Sequence, residues 1–574
     1  MAFYLSPIVD VNEIDLSTTI PAVATSIAAI ILRDTYKGPE RKRTLITSED
    51  SLVDTFGEPT NTANCYQDIL SALGYLKYGN KLYCTRTLPV SATFAGTKAS
   101  SGSEATFTAY TDDNSYKLTD FSSEDPDEFA EEEEVTGTDS MWFIAKSRGA
   151  WGNNIKLAII DNSTYGEITS GGHSTWDTYA DLASIDNELD SDDEFLIAVS
   201  VKKQGDTSYT LVENFNVSTN ERALDDLGTS KYCETVINSN SSYIRMSLNS
   251  VQANEDITIS TSDWQSLAGG VENNGDTVQD GDIELDLDMY KNSEEIDINI
   301  FIDSNKSNEV KRYMEQICSV YRKDSMAVLD CPYADVVNNV GSEATALRTY
   351  ARTTLNANSS YAALYGNWLD VYDKWNNKYK WIPVSGYVAG IFANTDDTND
   401  AWFAPAGLNR GIIAGVRKLA WNPSLGERDI LYKNGINLIV SFAGQGKVVW
   451  GQKTTLAKSS AFNRINIRRL FLILEKAVST ASKYFLFEPN DELTRTLMVD
   501  MITPFLRDVR SRRGLSEYLV VCDSTNNTPE RIDRNELWCD IWLKPTHTYE
   551  YIVLNFIATK TGVSFTEMIA ATEE

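Results

Sequence analysis

Histidine is almost absent from this chain: there are two, His173 and His547, in 574 residues. A Ser-His-Asp hydrolase would have to use one of them, and no G-x-S-x-G turn lies beside either. His173 stands in Ser-Gly-Gly-His-Ser and His547 in Pro-Thr-His-Thr-Tyr, and neither setting offers the positioned partner that proton transfer needs. Lys and Arg are missing from Met1 to Leu32, which carries Asp10, Glu13 and Asp15 instead. A secretory signal begins with basic residues, so none is expected here. The most apolar early stretch, 20–32, is 13 residues long and contains Pro21, Thr25 and Ser26. That is too short to cross a bilayer. The seven cysteines (Cys65, Cys84, Cys233, Cys318, Cys331, Cys522, Cys539) are scattered, odd in number and form no C-x-x-C pair. Buried free thiols are therefore expected over a disulfide framework or a zinc site. No internal repeat of fixed period is visible.

What is present is acid. The net charge is −31, and residues 89–300 hold 42 acidic against 11 basic residues while the rest of the chain balances. A region so charged repels phosphate backbones and anionic lipid, which argues against nucleic acid and membrane surfaces as partners. It suits a solvated outer surface.

The two ends and the middle differ in pattern. In 1–88, Tyr66, Ile69, Leu70, Leu73 and Leu76 recur at helical spacing, Gly79-Asn80 stops them, and 82–88 is expected as a strand. Residues 89–300 are rich in Ser, Thr, Asn, Asp and Gly and are expected as one inserted β-rich domain, or two divided near 141. Within them the acidic run 124–134 is expected as a mobile loop. The alternation Asp282-Ile-Glu-Leu-Asp-Leu-Asp288 predicts a half-buried strand with every acid on one face. Alternating Ile296, Ile298, Ile300 and Ile302 predict another strand, followed by a helix over 309–322 and a strand over 326–329. Strand, helix and strand at that spacing suggest a parallel crossover. Ile467, Leu470, Phe471, Leu474, Val478 and Ala481 define a long amphipathic helix.

Three further patterns invite chemistry. Gly444-Gln-Gly446-Lys447 suggests a phosphate loop, but the first glycine is misplaced and Val448 stands where Ser or Thr should hold magnesium. A glycine turn between strands is the better reading. The acids of 280–288 alternate along an expected straight strand, so they diverge instead of converging on calcium. Arg464, Arg468 and Arg469 open the long helix, and 464 and 468 share a face one turn apart. They lack the aromatic interleaving of a nucleic-acid surface. Ordinary pairing with nearby acids is one reading, and a complementary contact to another subunit is the other. No catalytic, cofactor-binding or metal site is expected, and the chain is read as no enzyme. A hydrolase, or an adhesin (against which the absent signal argues), would be the rival from another class.

Several phrases resemble the tail sheath proteins of contractile phages, of the large T-even-like type. Early ones are Ser6-Pro7, Gly38-Pro39, Phe56-Gly-Glu-Pro59, Leu76-Lys-Tyr-Gly-Asn80 and Arg86. Later ones are Trp402-Phe-Ala-Pro-Ala-Gly-Leu-Asn-Arg-Gly411, Phe462-Asn-Arg-Ile-Asn-Ile-Arg-Arg-Leu-Phe471, Phe487-Glu-Pro-Asn490, Cys522-Asp-Ser-Thr-Asn-Asn-Thr-Pro529 and Ile532-Asp-Arg-Asn-Glu536. They cover 1–88 and about 301–574. In the middle only Arg148-Gly-Ala-Trp-Gly-Asn-Asn154 and Leu267-Ala-Gly-Gly270 fit. The resemblance implies a mixed α/β (α+β) core built from both chain ends, 21–88 with 301–548. The acidic β-rich insertion 89–300 would project outward, with extended arms at 1–20 and 549–574. It implies a homo-oligomeric helical sleeve around a tail tube protein, joined to a baseplate and a tail terminator, that contracts to drive the tube through a host envelope. The sleeve would sit in the virion tail, after assembly in the host cytoplasm. A phage-derived injection device, such as an R-type bacteriocin or a secretion system, is the alternative. It also implies that the arms add strands to neighbouring subunits. The candidate arm residues are Val9 and Val11 at one end and Ile552, Val553, Leu554 and Phe556 in the apolar run 549–558 at the other. By the same resemblance Arg464, Arg468 and Arg469 become candidates for contact with the tube or a neighbour.

Overall fold

The computed structural model describes residues 26–100, 106–109, 139–161, 189, 194–225, 227–248, 264–272 and 276–554. The arm positions Val9, Val11 and Phe556, the acidic run 124–134 and His173 lie outside them. Strand Ala28–Arg33 is apolar at five successive positions, so both its faces must be covered. Ala28, Ile30 and Leu32 enter one buried cluster and Ala29 and Ile31 another. The same division holds for Ile300–Ile302, Met326–Asp330 and Ala362–Gly366. These strands form the middle of a nine-stranded sheet in the order 412–413, 446–450, 436–442, 362–366, 326–330, 300–302, 28–33, 82–87, 44–46. The six strands from 436–442 to 82–87 are parallel to one another, and the flanking strands are antiparallel. Helices Ala63–Leu76 and Ser385–Thr398 cover one face. Helices Asp280–Asp288, Asn308–Gln316, Glu343–Thr349 and Leu425–Lys433 cover the other.

The insertion is β-rich among its described residues. Strands Gly96–Ser100, Thr106–Ala109, Asp139–Ala145 and Ile244–Leu248 make one antiparallel sheet. Ile155–Asp161, Glu194–Val201, Thr210–Ser218 and Gln265–Ser266 make a second. Met141, Phe143, Leu157, Ile159, Ile197 and Met246 share one apolar core. The insertion is tied to the main sheet by Arg86, whose guanidinium donates to the carbonyls of Thr35 (2.7 Å) and Arg148 (3.0 Å). Glu40 accepts from Arg148 Nε at 2.7 Å beside it.

Two expectations fail. Residues 280–288 are a helix, not a strand. Positions 283 and 287 satisfy a two-residue and a four-residue period alike, and the acids decide the matter. Gln279 and Asp282 form a capping box, and carboxylates are favoured at a helix N-terminus. Ile283 and Leu287 are buried, while Leu285 faces out. Of the four alternating isoleucines only Ile300 and Ile302 lie in a strand. The carbonyls of Ile296 and Ile298 accept from Arg322 Nη2 at 2.9 and 3.4 Å, so an arginine takes the place of a neighbouring strand. Residues 549–554 lie in no ladder among the described residues; the pairing expected of them is with a neighbouring subunit.

Other elements match their patterns. Ala63–Leu76 is the helix read from its apolar spacing, and Leu82–Thr87 is the strand after it. The 309–322 helix is Asn308–Gln316 continued by a π-helical turn to Arg322. Gly444 and Gly446, both with positive φ, close the turn between strands Ile436–Phe442 and Gly446–Trp450.

The described residues from 478 onward belong to a separate compact unit. It contains helix Glu492–Ser511 and a two-stranded antiparallel sheet, Leu515–Val521 with Asp540–Pro545.

Candidate assembly interface

In an open α/β sheet the ordinary place for a ligand is the crevice at the carboxyl ends of the strands, where the strand order reverses. Here that point lies between Ala28–Arg33 and Ile300–Ile302. Arg33 ends the first strand and Asp303 follows the second. Arg33 forks onto Asp68, with Nε and Nη2 each 2.9 Å from a carboxylate oxygen. Lys306 Nζ donates to the same carboxylate at 2.8 Å and Ser304 Oγ at 2.7 Å. Burial alone would push Asp68 up, but Arg33 and Lys306 hold it below the usual carboxylate range. Burial lowers Lys306 to about 8, with the Arg33 charge adding to the effect. One strand further along, burial and the Asp303 charge push Asp330 up to about 7. Its carboxylate accepts from the backbone N–H groups of Val384 (3.0 Å) and Ser385 (2.8 Å). Lys311 Nζ donates to the Asp330 carbonyl at 2.8 Å. The side chains of Asp68 and Lys306 have no exposed surface, so no substrate reaches them. The crevice is filled by its own ion pairs, which tie the two halves of the sheet together.

Elsewhere, no three His, Cys, Asp or Glu side chains gather in metal-binding proximity among the described residues. His547 is exposed in the segment after the last strand. In helix 280–288, Asp286 turns inward to accept from the Thr87 hydroxyl, and burial raises it to about 7.

The basic group at the start of helix Ile465–Ser482 is not a surface knot. Arg468 and Arg469 are 7% and 5% exposed. Arg468 lies between the rings of Phe462 and Tyr361, 4.1 and 4.3 Å from their centroids, and donates to Ser360 Oγ at 2.6 Å. Arg469 Nη2 meets both carboxylate oxygens of Asp396, at 2.7 and 2.5 Å. Arg464 is half-buried and donates to Asn463 Oδ1 at 2.8 Å. Two of the three guanidinium groups are thus engaged inside the subunit. The pattern could not show this, because a charged helical position does not declare its own burial.

The C-terminal unit has the opposite character. Its two-stranded sheet packs on helix Glu492–Ser511 and pairs with nothing else among the described residues, leaving both edges open. Two strands alone are marginal in water. Leu519 and Trp542 stand directly opposite each other on the outer face, with Trp542 67% exposed. Beyond the sheet Tyr549, Tyr551, Ile552, Val553 and Leu554 are all exposed, Val553 at 81%. Open ladder edges and exposed apolar side chains thus occur together in one unit among the described residues, the features that mark a surface able to pair with further chain.

The chain is similar to phage tail sheath proteins over two consecutive stretches. Residues 278–455 match the phage tail sheath protein central domain and residues 457–559 the phage tail sheath C-terminal domain. The central match begins where the helix at 280–288 returns the chain to the main sheet. The chain is 36% identical over 395 residues to the tail sheath protein of Vibrio phage KVP40, spanning 65% of this chain and 56% of that one. It is 36% identical over 317 residues to the tail sheath protein of Enterobacteria phage T4, spanning 53% and 48%. The chain therefore spans about half the length of the curated relatives it matches. Among solved structures, the sheath tail protein of Listeria innocua superposes with a TM-score of 0.53 at 12% identity, over 92% of this chain and 96% of that one. The one from Desulfitobacterium hafniense gives 0.52 at 11%, over 91% and 94%. These two share the fold.

Proposed function

We propose that the chain is a structural subunit of a contractile phage tail sheath, not an enzyme. Many copies would form a helical sleeve around a tail tube, joined to a baseplate and a terminator. On triggering, the sleeve would shorten and drive the tube through the host envelope. The reading rests on the uninterrupted succession of central and C-terminal sheath domains over 278–559, in a chain 36% identical to tail sheath proteins. The assembled protein would be found in the virion tail. Its arms, 1–20 and 549–574, would complete the open C-terminal sheet of neighbouring subunits by strand addition. Backbone hydrogen bonds would then hold the mesh while subunits turn about the arms. The sheath of a phage-derived injection device remains the second reading, and the long acidic insertion favours a phage.

Electron microscopy and sedimentation of the full chain test this beside two variants, one lacking residues 1–16 and one carrying Trp542→Glu. The full chain is expected as long hollow striated cylinders. Both variants are expected as folded monomers, because neither change touches a buried residue of the C-terminal hairpin. Normal cylinders from the arm-deleted chain would refute strand exchange, and no polymer from the intact chain would refute the sheath reading itself.

A further inference from the structure

In the C-terminal hairpin Val521 pairs with Asp540 in antiparallel register, so one step further Cys522 stands opposite Cys539. The loop between them is drawn in at its root. Asn526 Nδ2 donates to the Val521 carbonyl at 2.7 Å, and Asn527 Nδ2 donates to the Trp538 carbonyl at 2.9 Å. The Trp538 N–H returns to Asn527 Oδ1 at 2.7 Å. Opposed residues of an antiparallel pair have Cα atoms about 4.5–5.5 Å apart, inside the range of about 4.4–6.8 Å that a disulfide spans. Both thiols are free, and the Cys539 thiol hydrogen-bonds the Cys522 sulfur. That bond holds Cys522 below the ordinary thiol value, favouring its thiolate. Cys522 is buried but keeps 6% of its surface exposed and Cys539 is half-buried, whereas the other five have no exposed surface, so a small reagent would approach the pair through Cys539. The other five cysteines are buried, and burial pushes each upward, Cys65 to about 11 and Cys318 to about 12.

We propose that Cys522 and Cys539 form an oxidation site, at which a hydroperoxide closes the 522–539 loop with an intramolecular disulfide. The Cys522 thiolate attacks the distal peroxide oxygen, the O–O bond breaks, and the departing hydroxide takes up a proton as water. Cys522 is then a sulfenic acid. The Cys539 sulfur attacks Cys522 Sγ and expels the oxygen as a second water, its own proton being lost to that leaving group. In sum two thiols and one hydrogen peroxide give one disulfide and two waters. The peroxide is reduced and the sulfurs are oxidised. The inference rests on the hairpin alone and stands whether or not the chain forms a sheath.

The test treats the intact full-length protein with hydrogen peroxide under native conditions. Remaining thiols are then alkylated and peptides mapped by mass spectrometry without reduction. A single linked peptide pair joining Cys522 to Cys539 is expected, with the other five cysteines alkylated. In Cys539→Ser the resolving thiol is gone, so a sulfenic-acid trap such as dimedone should label Cys522 at least about tenfold more than in the unaltered protein. Four results would overturn the proposal: both thiols still alkylated, chains linked to one another, Cys522 overoxidised beside a free Cys539, or equal dimedone labelling with and without Cys539. The first measurement needs no substitution, so a variant that misfolds leaves the proposal open to refutation.

Discussion

Reversing Arg469 to glutamate separates an internal role from an interfacial one. Arg469 and Asp396 are both almost fully buried, and the guanidinium meets the carboxylate along both of its oxygens. Arg469→Glu removes the cation and sets a second carboxylate against the first. Leaving one charge of a buried pair without its partner costs about 3–5 kcal/mol, and the added repulsion raises that. A typical domain has about 5–15 kcal/mol in total, so the change removes a large share of the stability of the unit that holds the sheet. With a urea dependence of about 3 kcal/mol per molar, the midpoint of that unit should fall by about 1 M or more. Tryptophan fluorescence in a urea series would read it. Removing both charges, as in Arg469→Met with Asp396→Leu, should restore most of the loss, since well-packed apolar replacements of buried ion pairs are often neutral. If Arg469→Glu kept the normal midpoint and lost only polymer formation, the arginine would be acting at an interface and the burial argument would be wrong.

Two other outcomes follow from the core. Asp286 has its pKa raised to about 7 in the fold by burial, against an ordinary value of 3.8. Between those values the folded chain holds a proton that the unfolded chain has released, so its contribution falls as pH rises from about 4 to about 7 and is level above that. Asp286→Asn should flatten that part of the stability–pH curve and stabilise at pH 8 by roughly 4 kcal/mol at most; an unchanged slope would mean that Asp286 is solvated. At the crossing of helices 63–76 and 385–398, a Cβ on Gly386 would lie 2.0 Å from the Ser71 carbonyl oxygen and 2.6 Å from its carbon. Because backbone cannot rotate away, Gly386→Ala should cost about 3 kcal/mol or more, read as a lowered melting temperature. An unaltered melting temperature would show that the helices can part.

Part of the main sheet was legible: Leu82–Thr87 and Met326–Asp330 were expected as strands, and strand–helix–strand spacing suggested parallel pairing for the latter. Ala28–Arg33 was read only as a short apolar stretch, because five successive apolar residues carry no period. Helix Ala63–Leu76 was legible from spacing, and the Gly444–Gly446 turn from glycine placement. Residues 280–288 misled because Ile283 and Leu287 fit either period, and only capping chemistry separates them. The ion pairs of the filled crevice had no local signature. Asp68 and Lys306 meet across 238 positions, and Asp396 and Arg469 across 73. The burial of Arg468 and Arg469 follows from those distant partners and cannot be read from a helix face. For 549–554 the apolar pattern was read from the sequence, and its expected covering is a neighbouring subunit. Among the described residues these side chains are exposed.

This contrast bears on how such a subunit could do work. Each buried charge pair in the unit that holds the main sheet would cost about 3–5 kcal/mol to open, so reorganising that core is expensive and the unit should move as a rigid body. In the C-terminal unit Leu519, Trp542, Ile552, Val553 and Leu554 are exposed. Covering five such side chains is worth roughly 7–15 kcal/mol before ordering entropy is subtracted, at about 1.5–3 kcal/mol each. No nucleotide loop is present at Gly444–Lys447, where the glycines serve a hairpin. In the proposed sheath, a subunit with so stable an interior and so much exposed apolar surface would store its free energy between copies. A polymer of such subunits can release it by exchanging one set of contacts for a deeper one while every fold stays intact.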